Sequence, residues 1–205
     1  MFSLQQTDYT DETFTGKNFS ALLEEQPLRR FTFNRCRFRN CDFREILTDH
    51  CTFINCVFSM SRLSGSLHQK SAFLNCSFSG AVLFAAKLEH CKCTGTTFTG
   101  ADCTGLVLKG GDYSYSAFFE CDLRGNDLAG LKLCHADLRR AKLQKAVLRE
   151  SDLTQCVVDG ADMTGCDLRG AVIDGVSFRN VVMGRTKIDL GQAVQIAASF
   201  GAVVD

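Results

Sequence analysis

The sequence has no tryptophan, one proline (Pro27) and four histidines, and its 23 Lys and Arg balance its 23 Asp and Glu. The absence of net charge by itself argues neither for nor against a nucleic-acid partner. No run of about 18 apolar residues occurs, which excludes a membrane-spanning helix. Met1 to Asp11 lack a basic segment followed by an apolar one, so no secretory signal is expected and the location is read as cytoplasmic. Also missing are a G-x-S-x-G elbow, an H-E-x-x-H helix motif and a phosphate-binding glycine loop with lysine. The histidines are scattered. The chain therefore reads as a binding protein rather than an enzyme, with no cofactor or metal.

What is present is a repeat. From Phe118 to Leu168 a large apolar residue falls at every fifth position: Phe118, Leu123, Leu128, Leu133, Leu138, Leu143, Leu148, Leu153, Val158, Met163, Leu168. Neither a helix of period 3.6 nor a strand of period 2 explains that spacing. The register extends back to Phe33 and forward to Ile188 without a slip, and only Thr48 and His68 depart from an apolar centre. Two residues before each centre the side chain is mostly small or a thiol, as at Cys36, Cys56, Ser71, Ala86, Ala141 and Cys166. Two residues after it, glycine dominates: 12 of the 17 glycines share that phase. Glycine tolerates the positive φ that sharp corners demand. The residue before the centre is often aspartate.

This pattern predicts a coil of square cross-section: an all-β, right-handed quadrilateral parallel β-helix with a short C-terminal α-helix. Each five-residue step makes one side and one corner, and four steps make a lap of twenty residues. Centre and small residue point inward, the other three outward. Residues twenty apart then stack, as in Phe38, Phe58, Phe78, Phe98, Phe118, Leu138, Val158 and Phe178. Residues 33 to 188 make eight laps, a rod of ~35–40 Å. The organisation expected is a β-helix over 1–188, irregular over 1–30, and a capping and dimerisation segment over 189–205.

Twelve cysteines invite a disulfide or metal reading. Nine occupy the small inward position and Cys93 and Cys103 are centres; only Cys134 lies off both phases. Buried free thiols are the expectation, since the spacing comes from the repeat and a cation has no path inside.

Departures from the repeat are the candidates for function. Tyr9, Phe14 and Phe19 are five apart but one phase off the main register, which places a slip within Ala21 to Pro27 and a bulge at Pro27. Arg29, Arg30, Arg35, Arg37, Arg39 and Arg44 are either a basic patch or ordinary solvated exterior. Thr48 and His68, twenty apart, stack two polar residues in an apolar column. An outward bulge there would make Thr48, Asp49, His50, His68, Gln69 and Lys70 a partner-binding corner; an ordinary imperfect face is the other reading. Phe84, Tyr115 and Phe119 fall on outward phases and mark either a partner surface or isolated exposed apolars. Asp102, Asp122 and Asp162 share one column with Lys142, and Asp112 and Asp152 share another with Lys132. Such acidic columns could imitate a phosphate track, although basic residues dilute them here. After Ile188 the repeat ends. Asp189 and Gln192 have the form of a capping box opening a helix, with Leu190, Val194, Ala197 and Phe200 near one face and Gly201 as its stop. Together with Val203 these residues exceed what a cap needs and predict a two-fold contact between like ends.

The runs Ala136-Asp137-Leu138, Ala161-Asp162-Met163-Thr164-Gly165 and Cys166-Asp167-Leu168-Arg169-Gly170 resemble the pentapeptide repeat family. The layout, with phenylalanine centres early, leucine later and a terminal short helix, is similar to its Qnr and MfpA type. The tail Ser199-Phe200-Gly201-Ala202-Val203-Val204 resembles that type's ending. The resemblance implies a rod-shaped homodimer joined at its C-terminal ends. It implies a mimic of duplex DNA that binds DNA gyrase or topoisomerase IV and lessens poisoning by quinolones or natural toxins, without contacting nucleic acid itself. A scaffold with an unrelated partner is the other reading, since fold alone does not decide function.

Overall fold

The computed structural model describes residues 4–23 and 27–203, so the stretch 24–26 of the predicted slip and the terminal Val204 and Asp205 lie outside the described residues. The chain winds as a four-sided parallel solenoid. Eleven strands of two to six residues are recognisable: β1 (Asp8–Thr10), β2 (Thr13–Thr15), β3 (Leu28–Arg29), β4 (Thr32–Asn34), β5 (Arg37–Arg39), β6 (Leu47–Asp49), β7 (Thr52–Ile54), β8 (Leu67–Gln69), β9 (Ala72–Leu74), β10 (Lys87–Lys92) and β11 (Val107–Asp112). Later laps continue as single parallel bridges. One column runs Thr13, Arg37, Val57, Ser77, Thr97, Ala117, Asp137, Val157, which is eight stacked laps. After the first step the register is twenty throughout. That first lap is four residues longer: Tyr9 pairs with Phe33 and Phe14 with Phe38. The excess sits where the phase slips, and Ser20–Leu23 form a 3-10 turn there.

The inward phases form the core. Phe38, Phe58, Phe78, Phe98 and Phe118 are fully buried and stack ring on ring, with centroids 4.8, 4.8, 5.3 and 4.7 Å apart. Corners close with an N–H to C=O bond from residue i+3 to i, such as Ser61 to Phe58 at 3.2 Å, around a residue of positive φ. Glycine is not obligatory there: twenty other residues adopt positive φ, among them Met60, Ala85 and Tyr115.

The structure also explains why the small inward position favours cysteine, serine and threonine. The carbonyl of a centre is within reach of an inward side chain of the next lap, and at corners such as Cys93 and Leu143 it also accepts the closing N–H. A donor 23 residues later reaches it: Cys56 Sγ to Phe33 O at 3.3 Å, Cys76 Sγ to Phe53 O at 3.3 Å, Ser116 Oγ to Cys93 O at 2.6 Å and Cys166 Sγ to Leu143 O at 2.6 Å. At corners such as Cys93 and Leu143 the side chain adds a second bond to an acceptor already engaged, a net gain of about 0.5–1.5 kcal/mol over alanine. All twelve cysteines are free thiols. Burial pushes those of Cys91, Cys156 and Cys166 up to about 12, which keeps them protonated. Large and small centres compensate between laps. Tyr113 stands over Cys93, and its hydroxyl reaches past that small residue to Leu88 O at 3.4 Å.

Two faces carry a break. Leu83 and Leu123 each donate to a carbonyl of the next lap, Asp102 O at 2.8 Å and Lys142 O at 2.9 Å; Cys103, between them in the same column, makes no such bond. The same holds for Gly105, Leu108 and Gly110 on one rim and for Asp122 and Asp127 on the other, among the described residues. Bridges join Val82 to Asp102 and Asp122 to Lys142, but none joins Asp102 to Asp122. The other two faces stay paired, through Thr97 with Ala117 and Asp112 with Lys132. The local cause is in the inward column Ala86, Leu106, Asn126, Ala146. Leu106 is buried and Asn126, stacked on it, is only half-buried. Leucine on asparagine is the bulkiest stacked pair in a column that otherwise holds Ile46, Ser66, Ala86, Ala146 and Cys166, and the asparagine is also polar.

The last lap is closed by α1 (Leu190–Ser199). Asp189 caps it, and the reciprocal Gln192 side chain completes the capping box. Gln192 also donates from Nε2 to Leu168 O at 2.6 Å and Ala171 O at 2.8 Å, so one residue starts the helix and seals the terminal carbonyls.

Candidate functional site

The predicted corner at Thr48 and His68 does not bulge. Thr48 and His68 are 1% and 2% exposed, in β6 and β8, and cannot meet a partner. They form an internal polar ladder: Thr48 Oγ1 lies 2.8 Å from His68 Nδ1 and 3.2 Å from Ser71 Oγ, and His68 Nε2 lies 3.0 Å from Ser66 Oγ. Two stacked polar side chains satisfy each other, so the column need not open. Around them Asp49 and Gln69 are half-buried, while His50 and Lys70 are exposed. Gln69 Nε2 donates to Glu89 Oε2 at 3.0 Å, and Asp49 Oδ1 lies 2.7 Å from His50 Nδ1.

Burial lowers the His68 pKa to about 3. The unfolded chain takes up a proton there below about pH 6.5, whereas the folded chain does not until about pH 3. The contribution of His68 is therefore fully present above pH 6.5 and falls as pH drops, by roughly 2 kcal/mol at pH 5. Urea midpoints between pH 7 and pH 5 should show that slope, and it should flatten in His68→Gln.

The acidic columns are in place but are not bare stripes. Asp122, Lys142 and Asp162 stack, as do Asp112, Lys132 and Asp152. Each aspartate is engaged locally, its Oδ1 accepting the N–H two residues on: Asp102 from Thr104 at 3.0 Å, Asp112 from Ser114 at 3.0 Å, Asp122 from Arg124 at 3.2 Å, Asp152 from Thr154 at 3.0 Å and Asp162 from Thr164 at 2.9 Å. Asx geometry of this kind braces the corner. Where arginine follows at that second position, it also neutralises the carboxylate. Arg44, Arg124, Arg139 and Arg169 pair with Asp42, Asp122, Asp137 and Asp167 at 2.6–2.7 Å and hold those carboxyls below the usual range. This Asp-x-Arg spacing was readable in the sequence, but in the columns it occurs only at Asp122; the other four aspartates have threonine or serine at that position. The surface is a mosaic of paired charges.

Exposed aromatics on the mid-rod are partly covered by their neighbours one lap on. Tyr115 stacks on His135 at 4.8 Å, and Arg139 and Arg140 lie 5.7 and 5.8 Å from the Phe119 ring centre. Phe84 stays 51% exposed. In the N-terminal arginine cluster Arg35 is bound to Asp11 at 2.6 Å and Arg44 to Asp42, so it too is partly neutralised.

At the C-terminal end the apolar face is open. Leu190, Val194, Phe200 and Val203 are 83, 41, 57 and 86% exposed, and Ala197 is half-buried. The opposite side of α1 sits on the last lap through Gln192 and Ile196. Among the described residues, no group of three or more His, Cys, Asp or Glu is arranged to hold a metal ion, and no helix is long and apolar enough to cross a membrane.

Fold and surface together define a β-solenoid built from five-residue steps. The model of the pentapeptide repeats matches in 8 copies across residues 76–112, 117–155 and 146–185, just over half of the chain, and the chain belongs to that family. It is 34% identical over 103 residues to the pentapeptide repeat protein MfpA of Mycobacterium tuberculosis, an alignment covering 48% of this chain and 54% of MfpA. The chain thus spans about half the length of that curated relative. Among solved structures it resembles a trypsin-treated variant of QnrB1, a plasmid-mediated fluoroquinolone resistance protein, with a TM-score of 0.54, 17% identity and 97% of each chain covered. HetL of the cyanobacterium Nostoc sp., involved in heterocyst differentiation regulation, is 22% identical over 86% of each chain with a TM-score of 0.43.

Proposed function

We propose that the chain is a non-enzymatic, rod-shaped binding protein of the cytoplasm that engages DNA gyrase or topoisomerase IV and protects it from quinolones or natural poisons. The observation that carries this reading is the column of eight stacked laps from Thr13 to Val157, in a chain that ends in an exposed apolar helix and is similar to MfpA. The rod meets the enzyme by shape rather than by charge. A DNA duplex of ~35–40 Å carries about 20 phosphate charges, one per 1.7 Å, whereas this chain's net charge is zero. In a gyrase supercoiling and cleavage assay with a ciprofloxacin-type poison, added protein should reduce poison-stabilised cleavage. An unchanged assay would remove the topoisomerase reading. Because few charges are neutralised, binding should weaken less than about tenfold between 50 and 200 mM salt, against the 10³–10⁵ of a charge-driven contact. The charge mosaic favours one other reading, a scaffold for a partner unrelated to topoisomerases; full binding to some other protein with a silent gyrase assay would select it.

The same reading includes a homodimer through the C-terminal ends. Leu190, Val194, Ala197, Phe200 and Val203 supply its apolar contact, and a second copy of the same end covers it. Phe200→Asp should give a folded monomer by light scattering; a variant that stays dimeric places the contact elsewhere.

A further inference from the structure

The break between residues 101–110 and 121–130 leaves two adjoining faces without lap bonds. Most other faces are hydrogen-bonded from lap to lap, with a smaller gap at Val158 and Ser177 near the C-terminal end. At the break two rims face each other with donors and acceptors unpaired: the N–H groups of Cys103, Gly105, Leu108 and Gly110 on one, those of Asp122 and Asp127 on the other. The rim of β11 from Val107 to Gly110 is a strand edge in mid-rod: β10 is the strand partner of β11, and only its end, at Gly111 and Asp112, is joined onward to Lys132. Two surface cavities lie along the break. One, of about 540 Å³, is lined by Thr104, Gly105, Asp122, Arg124 and Gly125 together with Gln144 and Lys145. The other, of about 350 Å³, is lined by Thr99 to Asp102 and Phe119 to Cys121. The corners bordering the break are nearly all glycine, at 100, 105 and 110 below and at 125 and 130 above. A Cβ placed on Gly100, Gly125 or Gly130 would meet nothing within 4 Å. Missing side chains beside an unpaired edge let another backbone approach closely.

We propose that this break is a strand-accepting slot, in which an extended segment of a partner protein pairs its backbone with the rim from Cys103 to Gly110. The chemistry selects that occupant. Alternating peptide N–H and C=O groups are complementary only to another peptide, and an edge of this kind is the element that strand addition uses. Side chains then add selectivity through the cavity walls, with Gln144 contributing a buried Oε1 that lacks a protein partner and Lys145 a cation. The inference is independent of the topoisomerase reading.

The test uses the whole chain. In hydrogen exchange, the six unpaired amides should exchange faster than their counterparts one lap away, such as Leu83, Ala85, Leu123 and Gly125, which are bonded. The probe is a capped octapeptide with lysine at each end and alternating threonine and valine between. In ¹⁵N-resolved NMR it should shift these amides saturably, and Gly125→Tyr, which fills the larger cavity, should weaken the effect at least tenfold. Tyrosine is tolerated at such a corner, since Tyr115 adopts φ 60 at the same phase. Gly16→Tyr, at φ 61 with nothing within 4 Å of its Cβ, is the control and should leave the shifts unchanged. Slow exchange at the six amides, no shift at about 5 mM peptide, or shifts indifferent to Gly125→Tyr would each overturn the proposal.

Discussion

Alanine at Gly111 is expected to destabilise the protein by about 2–6 kcal/mol, combining a backbone conformation closed to L-residues with overpacking. Gly111 sits at the small inward phase, within β11, at φ +111. A Cβ there would lie 2.2 Å from the carbonyl oxygen of Cys91 and 3.1 Å from its nitrogen, so the obstacle is the backbone of the neighbouring lap and not a movable side chain. Relief would require breaking the β10–β11 pairing, in which Cys91 and Gly111 are direct partners. The fair comparison is Gly100→Ala. Gly100 has φ +74 with open space around its Cβ, and only the left-handed conformation, about 1–2 kcal/mol, is at stake. Urea denaturation of both variants decides it: a Gly111→Ala midpoint no lower than that of Gly100→Ala would show that the laps can separate locally at little cost.

That contrast also marks where sequence reasoning reached its limit. The five-residue phase placed the core residue by residue, because an inward centre every fifth position is a geometric necessity of a four-sided lap. The capping box of Asp189 and Gln192 was equally legible, since it depends on contacts three residues apart. Gly111, however, belongs to the inward phase, where glycine reads only as one more small residue. Its positive φ follows from the neighbouring lap. Thr48 and His68 were misread for a related reason. A polar residue in an apolar column is an anomaly taken alone, but stacked on a second one, with Ser66 and Ser71 beside it, it becomes a satisfied network.

The acidic columns show the opposite error. Reading down the columns gives a row of aspartates, whereas reading along the chain gives Asp-x-Arg and Asp-x-Thr, pairs closed within one corner. Local closure wins because the partner is two residues away and needs little extra ordering. The break was also written in the chain, as Leu106 and Asn126 stacked in a column where no other neighbouring pair is as bulky. Finding it required asking which residues stack twenty apart at the small phase, and not only at the centres.

Phe118→Ala should do more than remove a ring. Truncating a buried phenylalanine costs about 3–5 kcal/mol wherever it stands. A solenoid, though, is held together by nearest-neighbour interfaces, so the cost matters most where the interface is weakest. Between the laps of Phe98 and Phe118 two faces have lost their ladder, and what remains is the pairing on the other two and the Phe98–Phe118 stack at 4.7 Å and 4°. Removing Phe118 takes the apolar half of that remaining contact. The N-terminal and C-terminal stacks should then unfold separately, and a single urea transition should become two. Leu148→Ala provides the comparison, costing about 2–5 kcal/mol on a side that is hydrogen-bonded to both neighbouring laps. Leu148 itself donates to Asp167 O at 2.8 Å, and the lap bonds on either side of it persist. That variant should lower the midpoint and keep one transition. Two probes settle it: backbone circular dichroism for the whole rod and tyrosine fluorescence in a Tyr9→Phe background, where the remaining Tyr113 and Tyr115 report the lap below the break. If their curves coincide in Phe118→Ala as they do in Leu148→Ala, the rod couples across the break as tightly as elsewhere, and the missing hydrogen bonds are not a weak joint.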